Sequence, residues 1–119
     1  MHWTIEYIAD EDILYIKTSG VLTREPANSM AEEIVRAANL HQCNRQIVDH
    51  CETTFALKLL EYYERPTLNQ QIGISYSWKI AMVFKELNKD TYFMKTVFRN
   101  RGFQFRQFLT VEEAKDWFE

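Results

Sequence analysis

Large apolar and polar side chains alternate through Trp3-Thr4-Ile5-Glu6-Tyr7-Ile8, the period of a half-buried strand. Ile13-Leu14-Tyr15-Ile16-Lys17 is equally rich in strand formers, and Asp10-Glu11-Asp12 between the two runs supplies turn chemistry, so the pattern predicts an antiparallel hairpin. After Gly20-Val21-Leu22 the period changes. Thr23 stands where a helix cap belongs, Glu25 and Pro26 suit a first turn, and Ala27, Met30, Ala31, Ile34 and Ala38 share one face, with Glu32 and Arg36 on the wet side. Arg45 to Asp49 reads as a short strand. Glu52-Thr53-Thr54 then offers N-cap residues for a helix through Phe55, Leu57, Leu59, Leu60, Tyr62 and Tyr63, interrupted at Pro66.

Thr67 to Ser77 fits either a short helix to Ile72, broken at Gly73, or a loop. Trp78 to Phe84 is nearly continuous in apolar character, as in a strand buried on both faces, and is expected at the centre of the sheet. Asn88 or Asp90 caps a helix in which Tyr92, Phe93, Thr96 and Val97 share a face, and Gly102 occupies the place of a left-handed residue after its end. Phe103 to Phe108 is the last strand. Thr110-Val111-Glu112-Glu113 is a capping box opening a terminal helix whose inner face carries Ala114, Trp117 and Phe118. The order ββαβαβαβα predicts an α/β fold: a mixed five-stranded sheet flanked by helices, with the first hairpin as its antiparallel part.

Length and composition narrow the function. A chain of 119 residues is expected to form one domain, and 46% hydrophobic with 26% charged residues is an ordinary globular composition. The net charge of -3 speaks against a protein devoted to a polyanion, because nucleic-acid affinity rests on phosphate neutralisation. Cys43 and Cys51 are too few for a disulfide framework, and the chain begins at once with strand-like residues, so a reducing cytoplasm is the expected location. No apolar run reaches the length of a membrane span.

Arg101-Gly102-Phe103-Gln104-Phe105-Arg106-Gln107-Phe108 follows the signature strand of the RNA-recognition motif at all but two defined positions. That strand must be followed by a helix and another strand, whereas Leu109 to Glu119 hold one short helix at most. The same letters are explained by Arg99 and Arg101 in the last turn of a helix, where cations complement its dipole, and by Phe103 and Phe105 on one core-facing side of a strand. No nucleic-acid partner is expected.

Gly20-Val21-Leu22-Thr23, Ile47-Val48-Asp49, Lys79-Ile80-Ala81-Met82-Val83 and Arg99-Asn100-Arg101-Gly102-Phe103, with the closing Phe108, Glu113-Ala114 and Trp117, resemble the STAS-like, SpoIIAA-like bacterial proteins over nearly the whole chain. The resemblance implies a single STAS-like domain over 1–119. It also implies a group that includes anti-sigma-factor antagonists, which act by docking onto a regulatory protein, and many small proteins with no known role. In the antagonists an Asp-Ser-Ser-Gly stretch opens the helix after the third strand, and a Ser there is phosphorylated. Glu52-Thr53-Thr54-Phe55 stands in the corresponding place, without the Gly and closer to Asp49, which makes Thr53 or Thr54 the matching hydroxyl.

The candidate chemistry is sparse. His41, Cys43, Asp49, His50 and Cys51 are metal-ligating residue types without a zinc spacing, and adjacent His50 and Cys51 on a strand point to opposite sides. Cys51 lacks a glycine-rich oxyanion turn, and Glu52 beside it raises its thiol pKa. Gly20, Gly73 and Gly102 are too scattered for a phosphate loop. No catalytic constellation, metal or cofactor is therefore expected, and the chain reads as a non-enzymatic interaction module. The helix over Phe55, Leu59, Tyr62 and Tyr63 has more apolar circumference than one core-facing stripe requires. With Cys51, Glu52, Thr53 and Thr54 before it, it is the expected contact surface of a homodimer or regulatory partner. The other reading is a carrier holding a small apolar, lipid-like ligand between this helix and the sheet.

Overall fold

In the computed structural model, which describes Met1–Glu119, the elements follow the expected order. They are β1 (His2–Ile8), β2 (Ile13–Leu22), α1 (Arg24–His41), β3 (Arg45–Phe55), α2 (Leu59–Ile72), β4 (Lys79–Val83), α3 (Lys89–Asn100), β5 (Gln104–Phe108) and α4 (Val111–Trp117). The sheet runs β1-β2-β3-β4-β5, with β1 antiparallel to β2 and every later pairing parallel. Right-handed crossovers that keep advancing in one direction must lay their helices on one face. Accordingly α1, α2 and α3 bury the larger core, around Leu14, Ile16, Val48, Ile80 and Phe105, while α4 closes a smaller one over Ile47, Ala81 and Val83 on the opposite face.

Four expectations are corrected. Glu52 to Phe55 does not open a helix. β2 runs on to Leu22 and offers a pairing partner at each position from Ser19↔Glu52 to Leu22↔Phe55, so the β-formers Thr53, Thr54 and Phe55 continue β3. The helix begins instead at Leu59, where the Lys58 backbone N–H donates to Glu61 Oε1 at 2.8 Å. Pro66 does not interrupt it, because its ring is fully buried in the core and Arg65 braces the turn by donating from Nε to Asn69 Oδ1 at 3.0 Å. Of the two alternatives for Thr67 onwards, the helix to Ile72 holds, ended by Gly73 at φ +125°.

β4 is buried but fourth in order; the central strand is β3. Its inward Gln46, Asp49 and His50 disguise it in sequence. α3 is rolled by about one residue from the predicted face. Thr91, Met94, Val97 and Phe98 turn inward and Tyr92 is left exposed, because Asn88 Oδ1 accepts from the Thr91 N–H and sets where the first turn begins. The Phe-rich segment behaves as core, with Phe103 and Phe105 buried and Phe105 stacked on Phe98 at 5.0 Å. No helix is long and apolar enough to cross a membrane.

Candidate functional site

β4 leaves β3 after the pair Asp49↔Val83, so His50 to Phe55 continue beside β2 alone. The vacated space is a cleft of about 550 Å³, within the usual range for ligand sites. It lies at the carboxyl ends of parallel strands, the customary crevice of open α/β sheets. Its walls are the end of β3, the Phe84–Lys85–Glu86 segment after β4, Tyr62 of α2, and the start of α3 with Asn88, Asp90 and Thr91.

His50 forms the floor. It is 2% exposed, set edge-on to Phe55 at 4.9 Å and against Phe84 at 5.8 Å. Its Nδ1 lies 2.7 Å from Thr18 Oγ1, and that hydroxyl also meets the Thr53 hydroxyl and the Asp49 carbonyl oxygen. The register shift between Lys17 and Ser19 allows His50 and Thr53, three apart, to converge on one threonine. Burial among aromatic rings drives the His50 pKa down to about 4 against the opposing pull of the Asp49 charge, so the ring is neutral at pH 7.

Asp49 occupies the other face of β3. Tyr15 Oη donates to its Oδ2 at 2.6 Å and the Cys51 backbone N–H to its Oδ1 at 3.1 Å. Burial alone would raise the carboxyl pKa, but these donors outweigh it and hold it below the ordinary carboxylate value. Desolvation first, then the Asp49 carboxylate, push the Cys51 thiol up to about 11 and move the Tyr15 phenol well above its ordinary value. Glu52 raises the thiol as expected, but less than burial and Asp49 do.

Of the residues singled out from the sequence, Cys51, Glu52, Thr53, Thr54, Phe55 and Tyr62 line the cleft. Leu59 and Tyr63 do not. They stand 63% and 55% exposed at the beginning of α2, with Leu60 at 76%. Tyr62 is buried and is a core residue rather than an outer contact. Thr53 and Thr54 sit in a strand, so neither has the helix N-terminus that would favour a phosphate. His41 stacks on Tyr7 at 4.2 Å, while Cys43 donates its Sγ–H to the Asp12 and Arg45 carbonyls, apart from His50 and Cys51. Sequence reasoning missed Phe84, Lys85, Asn88, Asp90 and Thr91. The rule that parallel strands present their sites just past their carboxyl ends points directly at the segment after Val83.

No protein-family model and no curated protein matches the chain by sequence. Solved structures do match in shape. The phosphorylated form of the Bacillus cell fate determinant SpoIIAA aligns over 99% of this chain and 100% of its own, with TM-score 0.61 and 14% identity. An uncharacterised Shewanella loihica protein with a SpoIIAA-like fold aligns over 98% and 91%, with TM-score 0.64 and 19% identity. The anti-sigma factor antagonist SpoIIAA in its unphosphorylated form aligns over 98% and 97%, with TM-score 0.57 and 14% identity. With its mixed five-stranded sheet, four helices and this alignment from end to end, the chain has the SpoIIAA-like, STAS-like fold.

Proposed function

We propose that the chain is a non-enzymatic interaction module that docks through the end of the molecule where β3 and β4 terminate, and that its first partner is a second copy of itself. One observation carries this reading. Leu59, Leu60 and Tyr63 in the first turns of α2, Leu87 before α3 and Tyr92 in its first turn are each at least half exposed, and all belong to the segments that leave the carboxyl ends of β3 and β4. Large apolar side chains gathered at one end of a small domain are commonly covered by another protein surface, most often a symmetric copy. Tyr63 is already held in place, its ring edge-on to Phe93 at 5.1 Å, as suits an aromatic anchor that loses little freedom on binding.

The chemistry around the cleft supports docking over catalysis. Its histidine is neutral, buried and committed to Thr18, and its thiol is protonated at pH 7. The antagonist that shares the fold acts on an anti-sigma factor, which is in line with a regulatory protein contact. A lipid-like cargo between α2 and the sheet is disfavoured by size, since the interior void there is about 70 Å³, well below a lipid-sized site.

Sedimentation velocity tests the reading. The wild-type protein is expected to sediment as a dimer at tens of micromolar. Tyr63→Ala and Leu60→Asp are each expected to weaken association roughly 5- to 30-fold, equivalent to about 1–2 kcal/mol, while the variants keep the wild-type circular dichroism. A monomeric wild-type protein at that concentration refutes the homodimer.

A further inference from the structure

The void behind the cleft is lined by one polar group without a hydrogen-bond partner and by one cation without a counter-ion. It lies between the sheet and helices α1, α2 and α3, and most of its wall is apolar, including Met30, Ile34, Val48 and Ile80. Gln46 also lines it, 1% exposed, and its Nε2 is the one buried side-chain nitrogen or oxygen of the chain without a hydrogen-bond partner. Arg65 lines it as well. The guanidinium is the only buried cation, and it donates to two neutral acceptors, Asn69 Oδ1 and Asn28 Oδ1. Neither ion pair of the chain involves it, because Glu64 is engaged by Arg24 and Glu11 by Lys115.

An unpaired buried amide and a buried guanidinium without a carboxylate each cost stability. Both costs are removed by one kind of molecule: an anion that accepts hydrogen bonds and carries an apolar remainder against the aliphatic wall. We propose that this void is a binding site for a short aliphatic monocarboxylate, its carboxylate answering Arg65 and Gln46. The void of about 70 Å³ sets the size, since each water-sized atom needs roughly 10–15 Å³ by this measure, leaving room for about five or six non-hydrogen atoms. The void adjoins the open cleft, since His50, Phe55, Tyr62 and Met94 line both, and a ligand would enter between these side chains. None of Leu59, Leu60, Tyr63, Leu87 and Tyr92 lines the void, so binding there does not require the dimer.

Titration with sodium butyrate at constant ionic strength tests it, followed by 1H–15N spectra of the Gln46 side-chain amide, which is assigned from its loss in Gln46→Met. Butyrate is expected to shift these signals saturably at millimolar concentration, with 1-butanol and sodium chloride at least tenfold less effective. Gln46→Met and Arg65→Met should each weaken the response at least tenfold, read on methyl signals of the cavity wall. If Arg65→Met does not fold, Arg65→Lys is expected to retain a weakened response. A Gln46 amide that exchanges magnetisation with water and ignores butyrate overturns the proposal. So does 1-butanol acting as strongly as butyrate, which would mean apolar filling without recognition of charge.

Discussion

The two ends of the sheet are built in opposite ways. At the end where the parallel strands begin, Ile74, Trp78 and Phe103 are buried, and Arg45 ties three separate parts of the chain together. Its Nε donates to the Asp12 carbonyl at 3.1 Å, its Nη1 to the Phe118 carbonyl at 3.3 Å and its Nη2 to the Glu11 carbonyl, while the guanidinium lies 5.5 Å over the Phe118 ring. At the end where the strands finish, β3 outruns β4, a cleft opens, and the segments that leave it carry most of the exposed large apolar side chains, Leu40 and Tyr76 being the exceptions at the other end. One end is therefore tied together by Arg45, and the other carries the contact proposed above. Stability and function should separate along the length of the strands.

The strongest test of that separation is at the closed end. Phe105, 1% exposed and paired in register with Ile80, is expected to cost about 3–5 kcal/mol when truncated to Ala, read as a lowered urea midpoint with an unchanged slope.

The next effect comes from the open end and sharpens the contrast, because there a buried group titrates. His50 has its pKa lowered from an ordinary 6.5 to about 4 by burial. The unfolded chain therefore binds more protons between those values, and stability must fall as the pH drops through them. The loss should begin near pH 6.5, be complete near pH 4, and amount to about 3 kcal/mol. Urea titrations at pH 7 and pH 4.5 should reveal it, and His50→Gln, although less stable at pH 7, should show a much shallower dependence. An equally steep slope in that variant would assign the acid sensitivity elsewhere.

Arg45→Ala is expected to cost less, about 1–2 kcal/mol, because its carbonyl partners at the β1–β2 turn gain water when it leaves. Amide hydrogen exchange should speed up at the β1–β2 turn and the end of α4 and remain unchanged around Thr53 and Phe55. The smallest effect is predicted for Leu60→Ala, which should change folding stability by less than about 0.5 kcal/mol, since Leu60 is 76% exposed. A loss as large as that of Phe105→Ala would erase the distinction between the two ends.

Much of this architecture is legible in the sequence because it follows from local periodicity. The Trp3 to Ile8 alternation, the Ala27-Met30-Ala31-Ile34-Ala38 stripe and the Thr110–Glu113 cap each occupy one element and need no distant partner to be recognised. The element order and the SpoIIAA-like resemblance rest on such segments. The candidate site is legible only in part, as the run from Cys51 to Phe55 and the exposed Leu59 and Tyr63.

What tertiary structure alone decided is what those residues become. Glu52-Thr53-Thr54 has good helix-capping chemistry, yet a free edge of β2 from Ser19 to Leu22 makes it strand, because paired backbone hydrogen bonds outweigh a weak local preference. Gln46, Asp49 and His50 resemble the end of a strand and instead run through its centre, since Asp49 and His50 find partners in Tyr15 and Thr18 from a strand more than thirty positions away. Pro66 stops a helix in isolation but not one whose proline ring is buried in the core. The pattern of apolar positions fixes where elements form and which face they bury. Which edges are vacant, which polar groups pair and which remain unanswered depends on contacts between residues far apart in the chain.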